Sequence, residues 1–253
     1  MLKEIVIAFQ SYIKAHRFIS KHRLWKWIIV PGILYMLLFM VSMYFFGKTA
    51  THAVDYLITS TGLRTWVQKM NEEWLNFLFL FLFGILWLLL MLFYFSLFKY
   101  IWLIVGSPLF AYLSEKTESI MAGKEFPFSL KQLIKDIIRG IRLALRNALW
   151  QTVYTISVIF LSFVPIVGWV APLLSLLVEC YYYGFSMLDY SCERHKLSTG
   201  QSIIFINRHK GFAIGNGFVF YLMHLLPILG WVLAPSYAVV AATISLYHSK
   251  EEF

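Results

Sequence analysis

Charge is what this chain has least of. Asp, Glu, Lys and Arg supply 14% of its 253 residues, where a soluble domain has about a quarter. With 60% of residues hydrophobic and 19% aromatic, too little polar surface remains to face water. A soluble globular domain is excluded and an all-α integral membrane protein is expected. Acids are scarcer than bases, 13 against 22. The excess of bases has no soluble face on which nucleic acid would bind. Cysteine is nearly absent: Cys180 lies in an apolar segment and Cys192 among basic residues, at no spacing that suggests a disulfide or a metal site. The seven histidines form no His-x-x-x-His pair, and neither Gly-x-Ser-x-Gly nor a glycine-rich phosphate loop occurs. No enzyme signature, catalytic residue or cofactor is therefore expected.

Long apolar runs are present instead. Residues 27–47, WIIVPGILYMLLFMVSMYFFG, have about the length a bilayer core requires. Pro31 falls in the first turn, where a missing N–H costs little. Residues 74–98 carry no charge and are long enough to span with tilt. The stretch before Trp27 is polar and basic, and the first apolar run is too long for a signal peptide. Basic residues concentrate in 1–26, in 114–147 with seven and in 189–212 with four, while 48–73 is balanced. The positive-inside rule places the basic segments, both termini included, in the cytoplasm and 48–73 outside. The latter reads as a small extramembrane helix pair.

One phrase occurs twice. Residues 165–172 read PIVGWVAP and 227–235 read PILGWVLAP, each inside an apolar run that must leave and re-enter the cytoplasmic side. Around the second break the arms are roughly twelve to fourteen residues, about 20 Å of helix, too short to cross. Around the first they are about 25 Å, just short. We read 148–188 and 213–247 as re-entrant helical hairpins with tips at Pro165, Gly168 and Pro172, and at Pro227, Gly230 and Pro235. Short true spans with local bilayer thinning are the alternative. Pro172 and Pro235 suit the start of the returning helices, whose N-terminal ends would then face an anion at mid-depth. Alternatively the tips only pack together, with Gly168 and Gly230 allowing close approach.

Residues 130–149 are amphipathic. Leu130, Leu133, Ile134, Ile137, Ile138, Ile141 and Leu145 form one face, and Lys131, Lys135, Arg139, Arg142 and Arg146 the rest. An interfacial helix with its bases toward lipid headgroups is expected, capped by Ser129 after Pro127. Leu2, Ile5, Val6, Phe9 and Ile13 give the N-terminus the same character. Within the hairpins, Glu179 is an intramembrane acid and so a functional candidate, although three tyrosines follow it to bond it. His224 reads as a packed polar contact or a proton relay.

The order of features along the chain resembles a known family. After the second span come SPLFAYLSEKTESIMAG at 107–123, the first hairpin, MLDYSCERHK at 187–196, the second hairpin and Ala241-Ala242-Thr243. Ser107, Pro108, Leu113, Glu115 and Lys116 match a small-Pro-x-x-x-x-Leu-x-Glu-Lys motif. Asp189–Tyr190 and His195–Lys196 match two further pairs. The chain resembles the CysZ-type sulfate permeases, which share the etoposide-induced-protein domain, from about Phe18 to Tyr247. The resemblance implies two spans, two half-penetrating hairpins, one membrane domain over 1–253, cytoplasmic termini, the cell inner membrane, homo-oligomeric assembly and sulfate uptake. It also implies an anion contact in a Gly-x-basic-basic loop before the first span. Lys26 takes the second basic position, Trp25 replaces the first, and Arg23 stands in place of Gly. Arg23 and Lys26 are thus the candidate anion-binding residues, three apart and near the N–H groups of a helix start. Glu115 and Lys116 read as an interfacial pair or a gate. Two functions stay open: an oligomeric permease for sulfate or a related oxyanion, or a non-transporting protein whose hairpins organise lipid or partners.

Overall fold

An apolar chain without water can satisfy its backbone only within helices or closed barrels. Helix is the regular structure found throughout the described residues of the computed structural model, which are 1–62, 65, 73–124, 130–162 and 170–248. In chain order they are α1 (Leu2–Lys21), α2 (Lys26–Ser60), α3 (Glu73–Ala122), α4 (Leu130–Ser162), α5 (Ala171–Arg194), α6 (Thr199–Arg208), α7 (Lys210–His224) and α8 (Leu229–His248). The protein is all-α and a membrane protein. Residues Lys26–His52 and Leu229–Tyr247 are the two described stretches long and apolar enough to cross a bilayer. The span expected at 74–98 lies within α3.

Residue contacts divide the chain into two compact units, Met1–Met36 with Tyr100–Phe253, and Leu37–Lys99. In the second, α2 continues to Ser60 instead of ending near residue 47. The 48–60 stretch is therefore helix continuous with the first span, not part of a separate pair. Its ring contacts, Phe39 on Phe98 and Phe46 on Tyr94, run in antiparallel register.

The first unit has an apolar core, with Phe110, Tyr183, Phe185 and Phe212 fully buried, but α4 departs from that pattern. On α4, Asp136, Leu143, Ala144, Asn147 and Gln151 are buried, whereas Ile134 is 56% and Ile138 52% exposed. The polar residues of this stripe turn inward because protein groups there satisfy them: Asp136 meets Arg194, Asn147 meets Ser186 and Gln151 meets Tyr100. The bases expected to face headgroups divide: Lys135 and Arg142 are exposed, but Arg139 and Arg146 turn onto protein groups. On α1, Leu2, Val6 and Ile13 are exposed, while Ala8, Tyr12, Ala15 and Ile19 are buried against α7 and α8. α8 is the central element. From Ala234 to Leu246 it is buried throughout, packed by α1, α5 and α7.

Small residues let α5 and α7 approach. A Cβ on Gly184 would lie 1.9 Å from the Ala213 carbonyl oxygen, and one on Gly217 2.0 Å from that of Cys180. Each helix thus carries two small residues four apart, Cys180 and Gly184 facing Gly217 and Ala213. This is the small-xxx-small packing of membrane helices. Tyr183 stacks on Phe220 beside it, centroids 3.7 Å apart.

The two repeated phrases have different outcomes. Pro165 and Gly168, like Pro127 and Ser129, lie outside the described residues. Pro172 is the second residue of α5, as expected of a helix-starting proline. Pro235 is not such a starter. α8 begins six residues earlier, at Leu229, and holds Pro235 inside. The cause is a tight turn at Pro227, where Ile228 has φ +64° and Gly230 packs on the Met223 carbonyl. With 20 residues, α8 is about 30 Å long, so the short-arm argument fails for it; α7, with 15 residues, is about 22 Å. The tip meets its own backbone needs. The Trp231 indole N–H donates to the His224 carbonyl at 3.2 Å. The Leu225, Leu226 and Gly230 N–H groups bond Tyr221, Met223 and Leu226 carbonyls. Its side chains Leu225, Leu226, Ile228 and Leu229 are left exposed.

Candidate functional site

Among the described residues of the first unit, three polar centres stand out. The earliest in the chain is the turn that ends α1. Arg23 N–H bonds the Ser20 carbonyl at 3.4 Å and Leu24 N–H that of Ile19 at 3.0 Å, the Schellman pattern. Leu24 and Ile19 are both buried, which supplies the apolar contact of that motif. Arg23 holds the left-handed position at φ +55°, where glycine is usual. It therefore lies in the turn and not on the first turn of α2. Lys26 opens α2, and both side chains are exposed. The helical bonds begin only with Trp27 N–H to Leu24 and Ile28 N–H to Trp25. The N–H groups of Trp25 and Lys26 precede them, next to the two cations. Trp25 is half-buried, its ring edge against His16, whose Nδ1 pairs with the Tyr237 hydroxyl at 2.8 Å.

The second centre is an ion network that sequence reading missed. The Arg139 guanidinium grips Asp189 through two bonds, 3.0 and 2.7 Å, and also donates to the Leu197 carbonyl and the Ser202 hydroxyl. Arg194 bridges Asp136 at 2.5 Å and Glu115 at 3.1 Å. Gln132 donates to the other Asp136 oxygen at 2.6 Å, and His195 lies 3.7 Å from Glu118. Burial and a bond to Asp136 push the Glu193 carboxyl well above the usual carboxylate range, so its protonated form is favoured there. Burial pushes the Cys192 thiol up as well. Cys192 sits in the last turn of α5, because the basic stretch 189–212 is helical, formed by the end of α5, α6 and the start of α7. Glu115 thus pairs with Arg194, not with its neighbour Lys116, which is exposed. One signal was legible: Asp136 is the single acid on an otherwise basic helix face, one turn before Arg139.

The third centre joins four helices in the apolar interior. Tyr100 OH donates to Gln151 Oε1 at 2.5 Å, Gln151 Nε2 donates to Glu179, and Tyr221 OH donates to the other Glu179 oxygen at 2.7 Å. Among the described residues, Glu179 is thus held by Gln151 and by Tyr221 of α7, not by the tyrosines that follow it. Tyr181 donates to Asn207 instead. His224 approaches the Tyr35 hydroxyl at 3.5 Å and the Phe220 and Trp231 rings.

Motif residues far apart in sequence meet in this unit. The Ser114 and Thr243 hydroxyls are 3.0 Å apart, Tyr190 OH bonds the Leu103 carbonyl, and Asp189 holds Arg139. A family model described as Sulfate transporter CysZ/Etoposide-induced protein 2.4 matches residues 11–235. The chain belongs to this family. Proteins named Sulfate transporter CysZ are similar along most of their length. That of Pseudomonas aeruginosa (strain LESB58) is 28% identical over 227 residues, 89% of this chain and 87% of the relative. That of Pseudomonas fluorescens (strain Pf0-1) is 27% identical over 219 residues, 86% and 83% of the two chains. These are names of transporters, not of enzymes. Arg23, at the position where the resemblance implies a glycine, has the left-handed backbone that glycine usually supplies.

Proposed function

We propose that this protein is an oligomeric inner-membrane permease for sulfate or a related oxyanion, formed as one membrane domain over residues 1–253. The observation that carries the reading is the α1–α2 turn. Two exposed cations flank the start of a long apolar helix, in a chain whose relatives are named sulfate transporters. A dianion there would meet both charge and helix-end dipole. Arg23 and Lys26 would capture it, and the returning helix that starts at Pro172 would offer a further positive end at depth. Labelled-sulfate flux into proteoliposomes tests the reading. Wild-type protein should carry sulfate. The Arg23→Gln/Lys26→Gln double variant should bind it more than about ten-fold more weakly, since a charge-assisted contact contributes about 1.5–3 kcal/mol. Unchanged affinity in that variant removes the turn from the mechanism. Absence of flux in wild type favours the second reading, a protein that wedges its hairpins into one leaflet, for which the exposed apolar tip Leu225–Leu229 also speaks.

The proposed topology is multi-pass with both termini and the 189–212 stretch on the cytoplasmic face, the hairpins entering and leaving there. A cysteine placed at the exposed Ser198 should react with an impermeant maleimide only from the cytoplasmic side. Labelling from outside would overturn this arrangement.

A further inference from the structure

We infer that the cleft between α4 and the turn joining α5 to α6 binds a tetrahedral oxyanion, either free or as the phosphate of a lipid headgroup. The cleft has a volume of about 460 Å³, and the side chains that line it include Lys135, Arg139 and Lys196. The hydroxyls of Ser198 and Thr199 complete a donor set at the same place. Among the described lining residues, Glu193 is the acid. Its carboxyl is bonded to Asp136 and shifted toward the protonated form, so it opposes an anion less than its formal charge suggests.

The three cations have different standing. Arg139 is fixed by Asp189, Leu197 and Ser202, so it lends the wall an immobile positive group with one Nη1–H left to donate, and the two lysines carry the uncompensated charge. Lys135 and Lys196 are exposed, and among the described residues neither pairs with a carboxylate. They reach the cleft from different elements, α4 and the turn. Two unpaired like charges lining one cleft repel, and a bound dianion would replace that repulsion with attraction. Lys196 also takes the left-handed place of a second Schellman turn, φ +60°, with Leu197 N–H on the Cys192 carbonyl. It is the same backbone design that places Arg23. The inference does not depend on transport, because it concerns binding alone.

Calorimetry with inorganic sulfate on the full-length protein tests it. Lys135→Gln/Lys196→Gln should weaken or abolish one binding event by more than about ten-fold, while Arg23→Gln/Lys26→Gln leaves that event in place. Lys196→Gly with Lys135→Gln guards against a folding artefact. Glycine relieves the left-handed backbone, so this variant should melt no lower than wild type and still lose the event. A second arm compares binding to phosphatidylglycerol vesicles and to phosphatidylcholine vesicles. If sulfate binding is unchanged but preference for phosphatidylglycerol falls with the two lysines, the site serves a headgroup phosphate. If neither sulfate affinity nor lipid preference responds, the inference is overturned. Because flux is not the readout, a failed transport reading and a failed cleft give different results.

Discussion

Gly184→Ala should destabilise the protein by about 3 kcal/mol or more, at or above the upper end of ordinary overpacking, and Gly184→Leu should yield no monodisperse protein. The added Cβ would stand 1.9 Å from the backbone oxygen of Ala213, and backbone cannot swing aside as a flexible side chain can. α5 and α7 must separate, which uncouples the Tyr183–Phe220 stack and opens the contact between these two helices. Gly217→Ala should behave likewise against Cys180. Gly47 is the control: no atom lies within 4 Å of its added Cβ, so alanine there costs no contact and gains helix propensity. Thermal unfolding in detergent, followed by light scattering and size-exclusion profile, reads all three. Wild-type melting of Gly184→Ala would mean that the helices are not in backbone contact.

The second large effect concerns charge. Asp189→Ala should cost about 3–5 kcal/mol, the range for removing one partner of a buried ion pair. Arg139 and Asp189 are only 13% and 5% exposed, and the guanidinium would keep its bonds to Leu197 and Ser202 while losing its counter-charge. Asp136 is already held by Arg194 and Gln132, so Glu193, itself shifted toward the protonated form, would be the remaining carboxyl acting on the cation. The double variant Arg139→Met/Asp189→Leu should recover most of the loss, because it removes both desolvation costs together. Melting temperatures of the two single variants and the double variant form a cycle whose coupling measures the pair. Additive losses would show that the bidentate geometry contributes nothing.

Sequence by itself determined the solvent, the helical class and much of the order along the chain. Each of these depends on composition or local period, and 60% apolar residues leave few alternatives. The proline that starts α5 was legible for the same reason, since a missing N–H matters only to its own turn. Tertiary structure alone decided which way the helices face and who pairs with whom. The bases of 130–149 pointed to headgroups by spacing, yet Arg139 turned inward because Asp189, fifty residues away, was there to meet it. Small residues at 180, 184, 213 and 217 are visible in the sequence, but nothing local says that they face each other. Pro235 looked like a second helix start because its phrase resembles the first. The turn at Pro227 and Ile228, closed by the Trp231 indole, let the helix begin six residues sooner. Arg23 has a left-handed backbone that its residue type does not announce. A left-handed residue is imposed by the bonds that end α1 and by the burial of Leu24 beside Ile19. Those are properties of the packed turn, not of the side chain that occupies it.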